Sequence, residues 1–166
     1  MMLPQYSHNN YQSRKNKLKD DRSEEQYLKD IDLTQRFEDK IALKFSIMQG
    51  VGYEAASERK VLTNYNNVVV GADYLFEKFG LLEVKHCRRW REELSFKLYQ
   101  LRKYIRQKAR ILFINGFCEM EQFFAILEPN WILRNGYEPS EEVRKFAGGK
   151  FDVSIQTSDI TWHKLL

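Results

Sequence analysis

The sequence predicts a mixed α/β (α+β) fold, in which a small central mixed β-sheet is flanked by helices. Three observations support this prediction: an apolar repeat of helical period, a group of short β-branched and aromatic segments after it, and a second helical repeat followed by an apolar strand. The predicted core therefore runs helix, three strands, helix, strand.

The 166 residues are expected to form one domain over 23–166, with a core over 32–115 and a C-terminal extension over 116–166. Residues 1–22 are polar and basic without a hydrophobic period, so we expect a flexible N-terminal arm there. Hydrophobic residues make up 43% of the chain, which is enough to build a buried core.

The same composition bears on location. No apolar run approaches the ~18 residues needed to span a membrane, and the N-terminal sequence lacks the apolar core of a signal peptide. We therefore expect a soluble, cytoplasmic protein with no membrane partner, of a kind that a virus or mobile element could also encode. Cys87 and Cys118 are too few for a four-cysteine metal site, and we expect free thiols in a reducing compartment, although they also suffice for one disulfide.

The first helix is predicted to begin at Asp32, which forms a capping box with Gln35, and to end at Gly50. Apolar residues recur between these ends at helical spacing, namely Phe37, Ile41, Phe45 and Met48. Glu38 lies at the border of this apolar stripe.

Three strands are predicted next, in ERKVLTNY (58–65), NNVVVGADYLFE (66–77) and LLEVKHC (81–87). The Asn66-Asn67 pair suits a tight turn between the first two strands. Because the connections are short, the three strands are expected to form an antiparallel meander.

A long helix is predicted over about 90–108, with one buried face formed by Leu94, Leu98, Leu101 and Ile105. ARILFING (109–116) is a fourth strand, expected to be buried on both faces and parallel to the third strand. In the extension, GFCEMEQFFAIL (116–127) is compatible with a helix, PSEEVRKFAGG (139–149) indicates a short helix, and FDVSIQ (151–156) alternates like an edge strand.

The positive charge is concentrated in one segment. Between Arg88 and Arg110 the chain has nine Lys or Arg residues against two Glu, a local surplus of seven, whereas the whole chain has a net charge of +4. Such a segment is typical of contact with phosphates. A solvated helix face is the alternative, and for an isolated basic helix it is the favoured interpretation.

Asp73, Glu83 and Lys85 are the candidate catalytic residues. Glu83 and Lys85 are two apart on a strand, so they share a face, and the short connection brings Asp73 opposite Glu83. Two adjacent carboxylates repel each other unless a cation joins them. A magnesium ion, with manganese as a substitute, is predicted to bind Asp73, Glu83 and the carbonyl of Val84. A salt-bridge ladder along the strand is the alternative.

The pattern Gly71-Ala72-Asp73, nine residues, then Glu83-Val84-Lys85 resembles the PD-(D/E)XK nuclease superfamily. The resemblance covers about Thr34 to Asn115 and includes the order of helices and strands. It implies a restriction-endonuclease-like fold and magnesium-dependent hydrolysis of phosphodiester bonds. Ala72 stands where the family usually has proline, which leaves the metal ligand in place.

The resemblance also implies roles for three further residues. Members often have a glutamate on the first helix that reaches the metal through water, and Glu38 is the best candidate, although an exposed helix charge explains it equally well. Gln100 and Tyr104 match a glutamine and tyrosine, four residues apart, that pack against the active-site strand and contact substrate in one branch of the family. The residues expected to bind nucleic acid are Arg88, Arg89, Arg91, Lys97 and Tyr104.

The predicted function is that of a metal-dependent DNA endonuclease of the restriction, homing, junction-resolving or DNA-processing type, favoured over an exonuclease. Such a small enzyme is expected to act as a homodimer or higher homo-oligomer, since cutting both strands needs two sites. Two alternatives stay open: a non-catalytic nucleic-acid-binding or assembly protein that retains the fold, and an RNA endonuclease with the same site.

Overall fold

A mixed sheet with helices on both faces organises the chain. The computed structural model describes residues 23–56, 72–138 and 152–166. In chain order the elements are α1 (Glu24–Gln49), β1 (Tyr53–Ala55), β2 (Tyr74–Phe76), β3 (Gly80–Cys87), β4 (Glu93–Lys97), α2 (Leu98–Gln107), β5 (Arg110–Asn115), β6 (Gln122–Leu127), α3 (Pro129–Asn135), β7 (Asp152–Gln156), a 3₁₀ helix (Thr157–Asp159) and β8 (His163–Leu165). The predicted N-terminal arm, the strand over 58–65 with its Asn66-Asn67 turn, and the helix over 139–149 lie outside the described residues.

Helix α1 begins earlier than the capping box predicts. Ser23 is its N-cap, and the Ser23 hydroxyl accepts a hydrogen bond from the backbone N–H of Gln26 at 3.1 Å. Asp32 therefore lies within the helix, where its carboxylate pairs with Arg36 at 2.8 Å. The predicted end is confirmed, because Gly50 adopts the left-handed conformation (φ 62°) that closes the helix.

The six-stranded sheet has the order β1-β2-β3-β5-β6-β8. Strands β1, β2 and β3 form an antiparallel meander, and β5 joins β3 in parallel, as predicted. The first strand of that meander is β1, which precedes the segment predicted from the sequence. Strands β6 and β8 then add antiparallel neighbours, so the residues after 115 complete the same sheet.

The predicted helix over 90–108 is wrong in its first half. Residues 93–97 form β4, which pairs antiparallel with β7 in a separate two-stranded sheet, and α2 begins only at Leu98. The sequence Glu-Leu-Ser-Phe-Lys has a period of two, since Leu94 and Phe96 are buried and the residues between them are half-buried. Pairing with β7 favours that period over the helical one that Leu94 also fits.

Residues 116–127, whose sequence is compatible with a helix, do not form one, because Gln122–Leu127 form β6. Strand β5 is buried on both faces and already pairs with β3 on one edge. Its other edge needs a partner for its backbone groups, and β6 supplies it. Gly116 (φ 76°) allows the tight turn that returns the chain. FDVSIQ forms a strand as predicted, namely β7.

The sheet separates two apolar layers. One lies under α1 and contains Ile41, Phe45, Phe76, Leu82 and Val84. The other lies on the opposite face and contains Leu94, Phe96, Leu101, Tyr104 and Ile111. Burial of these side chains is the main stabilising contribution to the fold. It also gives β3 one face toward α1 and the other toward α2.

Cys87 and Cys118 are free thiols, in agreement with one of the two expectations. None of the described helices combines the length and the apolar character required to cross a membrane.

We expect Gly136→Ala to destabilise the fold. A Cβ atom at residue 136 would lie 2.6 Å from the carbonyl oxygen of Ile132 and would collide with the side chain of Val153. Backbone and a packed valine cannot move easily, so the free energy of unfolding should fall by about 1–3 kcal/mol.

Gly52→Ala is the matched control for thermal or denaturant unfolding. Its Cβ would meet only the flexible Glu77 carboxylate, at 3.0 Å. The change in stability should stay within about 0.5 kcal/mol. Equal stability of the two variants would contradict the close approach at Gly136.

Candidate active site

The site forms where β2 separates from β3. Tyr74 is the residue paired with Leu82, yet the backbone N–H of Asp73 also donates to the Leu82 carbonyl, at 3.1 Å. Asp73, which precedes β2, and Tyr74, the first residue of β2, thus both oppose Leu82 of β3, which is the arrangement of a β-bulge. The next N–H on the same edge of β3, that of Val84, donates to Asp73 Oδ2 at 2.9 Å. A carboxylate therefore replaces the strand partner of β3.

Glu83 and Lys85 share one face of β3, as the strand period predicts. Lys85 Nζ lies 3.4 Å from Glu83 Oε1. Both side chains are largely covered, with exposed fractions of 12% for Glu83 and 24% for Lys85. The contact between these two groups is therefore shielded from water, which strengthens electrostatic interactions there.

Helix α2 contributes both residues that the resemblance implied. The Tyr104 hydroxyl donates to Glu83 Oε1 at 2.8 Å, and Gln100 Oε1 accepts a hydrogen bond from Lys85 Nζ at 3.4 Å. Tyr104 has no exposed surface, so the prediction that it contacts nucleic acid is wrong. Its contact is with the carboxylate of Glu83 instead, because the helix packs its buried face directly on β3.

Burial dominates the electrostatics of Glu83. Desolvation, followed by the charge of Asp73, raises the Glu83 pKa to about 8, while Lys85 and the Tyr104 hydrogen bond oppose this shift. The Glu38 charge adds a smaller upward contribution. Glu83 Oε2 is buried and has no hydrogen-bond partner. A carboxylate oxygen without a partner in a dry site is costly unless a proton or a cation satisfies it.

Asp73, Glu83 and the Val84 carbonyl are the groups at this site that could hold a magnesium ion. A residue in an extended strand directs its N–H and C=O to the same side, so the Val84 carbonyl points toward Asp73. Across the part of the chain that the structure describes, no group of three or more His, Cys, Asp or Glu residues is arranged to hold a metal ion. Magnesium commonly binds only one or two carboxylates and retains several waters.

A cleft of about 430 Å³ opens beside this cluster, between α1, the end of β3, and β4. Glu38 and Lys85 line it, as do Arg91, Ser95 and Lys97. The predicted metal ligand Val84 also lines it, so the cleft joins three predicted site residues to two of the residues predicted to bind nucleic acid. A larger cavity of about 650 Å³ lies beside β6 and α3 and includes none of them.

The other two arginines predicted to bind nucleic acid lie in the chain between Cys87 and Arg91, which both line this cleft. Arg88 and Arg89 are exposed, and the Arg88 guanidinium lies 5.3 Å from the centre of the Phe37 ring. Trp90 packs edge-on against Phe123 and Trp162. The tryptophan thus anchors the segment, while its neighbours remain available to solvent.

His86 lies on the face of β3 opposite Lys85. Its ring packs edge-on against Phe37 at 5.5 Å and lies 5.8 Å from the ring of Phe117. Burial, and then the charges of Arg88 and Lys85, lower the His86 pKa to about 4. The ring is therefore a neutral imidazole that packs between α1 and the turn after β5.

The sequence interpretation missed two features of this region. The β4 wall of the cleft was hidden because Leu94 fits both a helix and a strand. Asn115 is fully buried at the end of apolar strand β5 and binds the backbone of Arg91. A polar residue that ends the run Arg-Ile-Leu-Phe-Ile is the signal that could have revealed it.

We expect Glu83→Gln to stabilise the protein at pH 8 in the absence of divalent metal. A carboxyl whose pKa rises from 4.5 to about 8 binds more protons in the folded state. The free energy of unfolding that it contributes is therefore complete below pH 4.5 and is lost as the pH rises through 8. Glutamine is uncharged at every pH and avoids this loss.

Thermal unfolding between pH 4 and pH 9 measures this difference. Wild type should lose melting temperature relative to Glu83→Gln across that range, and magnesium should restore it only for wild type. Glu54→Gln, at an exposed position, is the control. A constant difference between wild type and Glu83→Gln at all pH values would contradict the burial of this carboxyl.

Comparison of the chain with protein-family models, with curated proteins and with solved structures finds no match. The function therefore has to be inferred from the side chains themselves. The relevant features are the carboxyl groups of Asp73 and Glu83, the adjacent Lys85 ammonium, and the cleft that Val84 and Lys85 line.

Proposed function

We propose that this chain is a magnesium-dependent nuclease that hydrolyses phosphodiester bonds in DNA. The observation that carries the proposal is the convergence of Asp73, Glu83 and Lys85 at the edge where β2 leaves β3. The unpartnered Oε2 of Glu83 supports it, because a bound cation would satisfy that oxygen and ionise the carboxyl.

Asp73, Glu83 and the Val84 carbonyl would hold the metal, with Mn²⁺ as a substitute for Mg²⁺. When bound, the ion would lower the pKa of a coordinated water and neutralise charge on the scissile phosphate. Lys85 extends from the same face of β3 and lines the cleft. Its ammonium would orient the attacking water and stabilise the negative charge that develops on the phosphate.

Gln100 and Tyr104 act through their neighbours. Tyr104 fixes one oxygen of Glu83 and leaves the other directed to the site, and Gln100 shares the Lys85 ammonium with Glu83. Burial and the nearby Glu83 raise the pKa of Tyr104, so its hydroxyl remains a donor. Glu38 lines the same cleft and would reach the metal through water.

DNA would reach this site along the cations of the cleft and its edge. Arg88, Arg89, Arg91 and Lys97 supply these charges, and arginine suits phosphate because its guanidinium can donate two hydrogen bonds at once. Cleavage of both strands by one small domain requires two copies, so we further propose a homodimer. A dimer that cuts both strands of a duplex would act as an endonuclease.

A second candidate is a non-catalytic nucleic-acid-binding protein that retains the fold. It is favoured by the lack of a third His, Cys, Asp or Glu ligand near Asp73 and Glu83 within the described ranges 23–56, 72–138 and 152–166. An RNA endonuclease with the same site is a variant of the first proposal and differs from it only in substrate.

We expect Asp73→Asn and Lys85→Met to slow cleavage strongly while the protein stays folded. Asparagine keeps an oxygen that can accept the Val84 N–H, and methionine keeps most of the lysine stem. Asp73→Asn removes a negative charge, and Lys85→Met removes the ammonium with its charge and its hydrogen bond to Gln100, so cleavage should fall about 100-fold or more. Lys40→Ala, at an exposed position of α1, is the matched control and should cut like wild type.

The assay uses linear, circular and branched DNA and single-stranded RNA, with and without magnesium. The proposal requires magnesium-dependent cleavage by wild type. The proposal would be refuted if wild type cut none of these substrates. It would also be refuted if Asp73→Asn and Lys85→Met both cut as fast as wild type. Binding of DNA without cleavage would favour the second candidate, and cleavage of RNA alone would change the substrate.

A further inference from the structure

The arginine segment, residues 88–91, directly follows the active-site strand and is held at several points by one turn. That turn, residues 115–119, connects β5 to β6, and we name it the clamp. Gly116 (φ 76°) forms its bend, and the N–H of Glu119 closes it onto the Gly116 carbonyl at 2.9 Å. The clamp is therefore itself a tight, hydrogen-bonded turn.

Asn115 makes the buried contact between the clamp and the arginine segment. Its Oδ1 accepts the backbone N–H of Arg91, and its Nδ2 donates to the Arg91 carbonyl, both at 2.9 Å. One amide side chain thus satisfies both backbone groups of one residue, in the way that a strand partner would. Asn115 is completely buried, so water cannot replace it.

Three further hydrogen bonds hold the rest of the segment. The N–H of Phe117 donates to the Cys87 carbonyl at 2.9 Å, and that of Cys118 donates to the Arg88 carbonyl at 2.8 Å. The Glu119 carboxylate accepts the backbone N–H of Trp90 at 2.9 Å. The clamp therefore binds the backbone on both sides of Arg89.

The contacts constrain the backbone and leave the arginine side chains available. Arg88, Arg89 and Arg91 are all exposed, and Arg91 lines the cleft together with Lys85. A backbone that is already ordered loses less conformational entropy when its side chains bind a ligand. The clamp therefore presents a preorganised set of cations next to the candidate catalytic lysine.

We propose that Asn115 and Glu119 are positioning residues, which fix the backbone of residues 88–91 so that Arg88, Arg89 and Arg91 contact successive phosphates of a nucleic acid entering the cleft. This inference rests on the proposed function for its ligand. It assigns a role to a buried amide and to an acidic side chain that touch neither the carboxylates of the site nor the substrate.

Glu119 allows a test in which positioning and simple electrostatics predict opposite signs. Glu119→Ala removes the hydrogen bond to Trp90, and it also removes a negative charge beside three arginines. If the bond matters, duplex DNA should bind roughly threefold to tenfold more weakly. If only charge matters, binding should tighten. Glu119→Gln loses the charge but keeps an acceptor for Trp90, so it should restore binding.

The probe is a fluorescein-labelled DNA duplex, titrated by anisotropy with full-length protein in EDTA, where cleavage does not interfere. Glu121→Ala is the matched control, since Glu121 is two residues away, is exposed, and pairs with Lys164 rather than with the arginine segment. Asn115→Leu removes two bonds and should weaken binding further. Circular dichroism and thermal unfolding establish which variants fold, and Glu119→Ala, at an exposed position, keeps the test available if Asn115→Leu does not.

The dependence of binding on salt separates positioning from a loss of folded protein. A lost phosphate contact lowers the slope of log K against log salt by about 0.9, whereas partial unfolding leaves the slope unchanged. We expect the shallower slope for Glu119→Ala and the wild-type slope for Glu119→Gln. With magnesium added, KM should rise for Glu119→Ala while kcat changes little.

Three results would refute the proposed positioning role of the clamp. Glu119→Ala could bind DNA as tightly as wild type or more tightly, Glu119→Gln could weaken binding as much as Glu119→Ala does, or wild type could fail to bind DNA. A wild type that binds DNA but never cuts it would refute the nuclease proposal alone. The binding constants of the Glu119 variants would still determine whether the clamp positions the arginines.

Discussion

The site depends on one backbone N–H, that of Val84, which has no strand partner and needs another hydrogen-bond acceptor. Strand β2 leaves β3 after Leu82, and the next N–H on that edge of β3 belongs to Val84. A buried N–H needs an acceptor, and Asp73 Oδ2 provides it at 2.9 Å. This bond holds an aspartate carboxylate at the strand edge, beside Glu83. The amide oxygen of an asparagine could also accept this N–H, so the bond to Val84 does not by itself require a charged residue at position 73.

Glu83 directly precedes Val84 on β3, and its side chain lies on the face that packs against α2. A carboxyl that points toward α2 must be buried between the helix and the sheet, and the nearby Asp73 charge adds to the cost of ionising it. Tyr104 offsets part of the cost by donating to one oxygen, and Lys85 offsets more by its charge. The second oxygen still has no partner. A fold selected for stability alone would replace this carboxyl with an apolar residue. The cost is understandable if the carboxyl serves chemistry.

Sequence periodicity was sufficient to predict the centre of this site and insufficient for its surroundings. The period of two in β3 places Glu83 and Lys85 on one face, and that is a local property of the chain. The strand character of residues 93–97 depends on β7, which is more than fifty residues further along the chain. Leu94 and Phe96 fit a strand, and Leu94 with Leu98 fits a helix, so only the distant partner resolves the choice.

The same reason explains the other differences. Residues 122–127 form a strand because β5 needs a second neighbour, and Asn115 is informative only once Arg91 is known to lie beside it. Both are long-range pairings that a short sequence window does not contain. In contrast, the helix stop at Gly50 was predictable, since the left-handed conformation of a glycine is a local preference.

The acidic residues of the site and the cations near the cleft have opposite effects on an approaching phosphate. Asp73, Glu83 and Glu38 would repel a phosphate that approached them alone. Lys85 offsets this repulsion within the site, and Arg91 offsets it at the entrance, where the clamp holds its backbone. Cations on a mobile loop would lose much of this benefit, because ordering them would cost entropy at each encounter. The charge of the site therefore makes an ordered arginine segment useful, and the buried amide of Asn115 provides that order by binding the backbone of Arg91.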